Sequence, residues 1–135
     1  MVNKQKVKGS SWEREFVELL NSNILGANAK RIPSSGAMGT SMSEPLLQGD
    51  IKAKFKGLNR PVRIECKVGY GGNTQLTVKK EWIDKIKKEA ENSYSYPMLA
   101  CKFLGARKSE GVKYFVILDF DTFVDIINYV GKAFE

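Results

Sequence analysis

Asp50, Glu65 and Lys67 are the residues whose types and spacing could do chemistry. Two carboxylates and an ammonium group in the pattern Asp-x14-Glu-x-Lys suit the hydrolysis of a phosphodiester. Carboxylate oxygens are the hard ligands that Mg2+ takes. A cation held there polarises the phosphate and makes bound water a better nucleophile. A neighbouring lysine orients that water or offsets charge building up on the phosphate. The same letters also describe a solvated face with cross-strand ion pairs, each worth only tenths of a kcal/mol. Spacing by itself does not choose between the two.

Positioning these groups falls to two strands. In "VRIECKV" (62–68), Val62, Ile64, Cys66 and Val68 alternate with Arg63, Glu65 and Lys67. Side chains alternate along a strand, so Glu65 and Lys67 share a face opposite the apolar set. "DIKAKFK" (50–56) repeats the pattern, with Ile51, Ala53 and Phe55 on one face and Asp50, Lys52, Lys54 and Lys56 on the other. "GLNRP" joins the two as a hairpin. A turn centred near Leu58–Asn59 sets Asp50 opposite Lys67 and Lys52 opposite Glu65. The register is open by a residue or two, but the shared charged face follows from alternation.

Around the hairpin the chain reads as one α/β unit in the order α-β-β-β-α-β-β-α. Helical spacing of Trp12, Phe16, Leu19 and Leu20 predicts a helix over about 11–21, with Ser10 and Glu13 as a capping box. A short strand covers Ala29–Ile32, and residues 33–48, rich in Gly, Ser and Pro, form a long flexible loop. Another loop, "GYGGN", precedes a second helix from Lys79 to Asn92 with Trp82, Ile83, Ile86 and Ala90 inward. "PMLACKFL" and "KYFVILDF" are strands, and Asp121 caps a final helix carrying Phe123, Ile126, Ile127 and Val130. No repeat or linker divides the 135 residues, so a single domain with a basic arm over residues 1–9 is expected.

Composition narrows the chemistry. The chain has no histidine and two cysteines, which excludes zinc fingers and histidine-assisted nucleophiles. Cys66 and Cys101 lie in strand patterns and read as reduced core residues. A net charge of +7 favours a polyanionic partner, nucleic acid first. No apolar run is long enough to span a bilayer, and the polar start "MVNKQKVKGSS" is no signal peptide, so an intracellular, cytoplasmic site is expected.

The segments "KGSSWEREF", "AKRIPSSG", "QGDI", "RIECKV" and "PMLACKFLG" stand in the order and approximate spacing of the archaeal Holliday junction resolvases. Over about 8–104 the chain resembles that family, a branch of the restriction-endonuclease-like PD-(D/E)XK nucleases. The resemblance implies a central mixed β-sheet flanked by helices, with an α-β-β-β-α-β core. It implies that Asp50, Glu65 and Lys67 are catalytic and that Glu13 joins Asp50 and Glu65 in holding Mg2+, for which Mn2+ would substitute. It assigns DNA contacts to Lys8, Arg14, Arg31 and a loop serine, Ser34 or Ser35; Lys79 at the second helix is a further candidate. Two departures stand out: Gly49 replaces the motif's proline, and the loop before it is longer than in compact members.

What the resemblance implies is a Mg2+-dependent endonuclease cutting four-way junctions by paired nicks, acting on DNA as a homodimer. Another PD-(D/E)XK nuclease, of restriction, nicking or repair type, would use the same residues. A non-catalytic DNA-binding module would bind without cutting, though clustered carboxylates repel phosphate and suit it poorly.

Overall fold

A computed structural model describes residues 4–33 and 50–135, excepting the side chains of 4–10 and Asp50. The elements are α1 (Lys4–Asn23), β1 (Asn28–Ile32), β2 (Asp50–Lys54), β3 (Val62–Val68), α2 (Lys80–Asn92), β4 (Tyr96–Lys102), a 3-10 turn (Lys108–Glu110), β5 (Tyr114–Ile117) and α3 (Phe120–Lys132). The five strands form one sheet in sequence order, antiparallel except where β3 runs parallel to β4. A parallel pair needs a crossover, and α2 supplies it. This is the α/β restriction-endonuclease-like arrangement that the resemblance implied.

The alternation in β3 decides what covers each side. Val62, Ile64 and Val68 pack with Ala29, Ile51, Ala53 and Ala100 beneath Trp12, Phe16 and Leu20 of α1. Trp12 is fully buried, and its indole N–H donates to the Ala100 carbonyl at 3.0 Å. On the other face Trp82 and Ile86 of α2 cover Leu99 and Cys101 of β4. Glu65 and Lys67 belong to this second face, so the charged side of β3 is partly roofed rather than open.

Three expectations need correction. The helix begins at Lys4, not Ser11, and takes in most of the expected basic arm. Ser10 therefore lies inside α1 and cannot cap it, which releases Glu13 from a capping box. The hairpin pairs Ile51 with Ile64 and Lys52 with Arg63, two residues from the expected register. A shift of two leaves every side chain on its face. Continued by one residue, this register sets Asp50 beside Glu65. The cap of α3 is Asp119, not Asp121: its carboxylate accepts from the Thr122 backbone N–H at 3.2 Å.

The loop before α2 depends on Gly71, whose φ is +136° and where a Cβ would meet the Gln75 carbonyl oxygen at 2.6 Å. The Thr77 N–H donates to the Tyr70 carbonyl, closing the loop and holding Tyr70 edge-on to Trp82.

Candidate active site

Glu65 sits at the centre of β3 with 7% of its surface exposed. Burying a carboxylate is costly unless charged partners replace water. Two lysines do so: Lys67 Nζ lies 3.0 Å from Oε2, and Lys85 Nζ 3.3 Å from Oε1. Lys67 comes from the same strand face two residues on; Lys85 reaches over from α2. Lys67 also stands 4.7 Å from the centroid of the Trp82 ring, whose negative face attracts the ammonium. The expected core role of Trp82 thus extends to holding the lysine.

Glu13 reaches the site from α1. Its carboxylate is buried and accepts from Arg31 of β1, at 3.0 Å from Nη2 and 3.1 Å from Nε. Burial pushes the Glu13 carboxyl above the ordinary glutamate range; Arg31 opposes the shift, and the charge of Glu65 adds to it. The Glu65 charge is therefore near enough to act on Glu13. Arg14, exposed on α1, adds positive potential at Glu13.

Of the residues singled out by sequence, Glu13 and Arg31 meet as one pair, and Glu65 and Lys67 as another. Asp50 occupies the first position of β2, opposite Ile32, with its side chain outside the description. Lys8 lies on α1, likewise without a described side chain, and Ser34 and Ser35 fall outside the described residues. Lys79 immediately precedes α2 and is 5.9 Å from both the Tyr70 and Trp82 ring centroids. Among the described residues no three Asp, Glu, His or Cys side chains gather as a metal cluster. A hard cation suits the donor type, since Glu13 and Glu65 are buried carboxylates and the Glu65 charge adds to the rise that burial imposes on Glu13; the cation would share them with Arg31, Lys67 and Lys85.

Lys85 is the site residue that the sequence reading passed over. It belongs to the helix of which only Trp82, Ile83, Ile86 and Ala90 were expected to face inward. The signal was its place three residues after Trp82 and one before Ile86, at the margin of the inward stripe. Lys102 turns the other way: its ammonium pairs with Glu15 at 2.5 Å, and Tyr114 donates to the same carboxylate at 2.8 Å. Burial pushes Cys101 up to about 11 although Lys67 pulls it down, so it remains a neutral core thiol.

The raised Glu13 gives a signed prediction. A carboxyl with a raised folded-state pKa binds its proton more tightly in the native state, so stability falls as pH rises through the window above the ordinary glutamate value of 4.5. Without divalent metal, the melting temperature of the wild type is expected to rise on going from pH 7 to about 5. Glu13→Gln should flatten that rise, and an unchanged slope in the variant would count against the assignment.

The sequence profile of the family described as "Phage putative PDDEXK endonuclease" matches residues 4–130, nearly the whole chain. No curated protein matches the sequence. With the sheet order, the flanking helices and the Glu-x-Lys strand in place, the chain belongs to the phage PD-(D/E)XK endonuclease family.

Proposed function

We propose that this nuclease is a Mg2+-dependent, structure-selective endonuclease that resolves four-way DNA junctions by paired symmetric nicks. The observation that carries the chemistry is the Glu65 carboxylate held between Lys67 and Lys85 beside the desolvated Glu13. Glu13, Asp50 and Glu65 would hold the cation, with Mn2+ able to replace Mg2+. Once bound, the metal would polarise the scissile phosphate and lower the pKa of coordinated water. Lys67, fixed by Trp82 and Glu65, orients the water or meets charge on the phosphate. Arg14, Arg31, Lys79 and Lys8, with Ser34 or Ser35, contact the DNA backbone. The junction preference rests on the ordered motifs shared with the archaeal resolvases; paired nicks require two sites and hence a homodimer.

Purified protein with Mg2+ is expected to nick a synthetic four-way junction at least tenfold faster than a linear duplex of the same arm sequence, roughly a 1.4 kcal/mol preference. Equal rates would remove the junction claim and favour a nicking or restriction-type relative using the same residues. Salt-sensitive binding with no metal-dependent cutting would favour the pure binding module.

A further inference from the structure

The apolar arc of α3 is wider than the sheet covers. Thr122 is buried, and Ile126 packs against the α1-side core. Beside this inward edge run Phe120, Phe123, Ile127 and Val130, followed by Phe134 in the turn just past the helix end, each between 38% and 84% exposed. Their spacing alternates three and four residues over four intervals. This is the seam that lets one helix pack lengthwise against another. Asp121, Asp125 and Lys132 keep to the opposite flank, so the seam carries no charge. A stripe of this regularity, left uncovered among the described residues, is not the scattered apolar exposure of an ordinary surface.

We propose that this seam is a dimer interface, occupied by α3 of a second copy of the same chain lying antiparallel across a two-fold axis near Ile127. Three observations select that occupant. Ile127 is the middle member of the five, so an antiparallel pair lays each seam on an identical one, the self-complementarity a two-fold contact requires. If wholly covered, the five residues would bury on the order of 550 Å2 per chain, about 1,100 Å2 for a pair, at the lower bound of ~1,000 Å2 for a specific interface. Charge points the same way. Residues 119–135 carry a net −3, four acids against Lys132, which leaves +10 on the rest of the chain. Two copies meeting through basic faces would repel, and DNA is not drawn to the acidic end. Pairing through α3 leaves the basic surfaces of both copies for one polyanion.

This names the surface for the dimer in the proposed function, but it stands on the exposed seam and is tested without DNA. Sedimentation equilibrium of the intact protein is expected to give twice the 15.1 kDa chain mass. Ile127→Asp, at an exposed position, should keep the wild-type circular dichroism and raise the dimer dissociation constant at least 100-fold. Ile127→Cys, oxidised, should cross-link chain to chain. A wild type that is monomeric at 100 μM, an Ile127→Asp dimer as tight as wild type, or an Ile127→Cys protein that fails to cross-link would each overturn the interface. A dimer that cuts no DNA would instead overturn the nuclease reading alone, and a monomer that nicks junctions would overturn the interface alone.

Discussion

Glu65→Gln is expected to reduce metal-dependent cleavage at least about 1,000-fold, a loss of roughly 4 kcal/mol of transition-state stabilisation. The variant keeps the shape of the side chain and removes its charge. Two things then fail together. One of the proposed metal-holding carboxylates is gone, and Lys67 and Lys85 lose the anion that fixes both ammonium groups at 3.0 and 3.3 Å. The fold should survive, because Glu65 is roofed by α2 and both lysines keep a route to water: the Lys85 side chain is 55% exposed. Divalent metal should also raise the melting temperature of the wild type and not of the variant, since a ligand that binds only the native state stabilises it by mass action. Single-turnover cleavage and a thermal melt with and without Mg2+ measure both. Near-wild-type cleavage in Glu65→Gln would remove this residue from the catalytic set.

Trp12→Ala should cost about 3–5 kcal/mol of folding stability. Trp12 is fully buried, stacks on Tyr114 with ring centroids 5.7 Å apart, tilts against Phe16 and donates to the Ala100 carbonyl. Truncation opens a cavity where α1 meets the sheet and removes that hydrogen bond. A domain of this size has about 5–15 kcal/mol in all, so the loss is a large share. The same change loosens the helix that carries Glu13, so catalysis should fall with stability. Urea denaturation reads the first effect; a midpoint shift worth less than 1 kcal/mol would mean that α1 is not anchored through Trp12.

How much of this was legible in sequence depends on which interactions were local. The period-two pattern of β3 and the period of α1 gave the faces, because neighbouring side chains on one element report burial directly. Gly9, Ser10 and Ser11 looked like the break before a helix, being poor helix formers, yet the helix runs through them; propensity is a weak prior that longer-range packing overrides. The hairpin register depended on where a seven-residue connection bends. The Leu58 N–H bonding to the Phe55 carbonyl centres a turn on Lys56–Gly57, two residues ahead of the expected Leu58–Asn59 centre. At α3 two aspartates competed for one cap. Asp119 holds it because Lys87, 3.0 Å away, and the Thr122 hydroxyl anchor its carboxylate. Lys85 was passed over for a similar reason: its place at the margin of the inward stripe hints at burial, but only the packing of α2 over β3 brings it to Glu65. The resemblance assigned Glu13 to the metal site, whereas its pairing with Arg31 depends on α1 and β1 meeting in space.

In the proposed mechanism the carboxylates of β2 and β3 form a metal-dependent nuclease centre. The most direct measurement is single-turnover cleavage of a labelled four-way junction, with Mg2+ and with chelator, by wild type and by Asp50→Asn. The wild type should nick in Mg2+ alone, Asp50→Asn should lose at least about 1,000-fold, and both should bind the junction within a few-fold of each other. Cleavage that persists in chelator, or an Asp50→Asn protein that cuts at the wild-type rate, would contradict it.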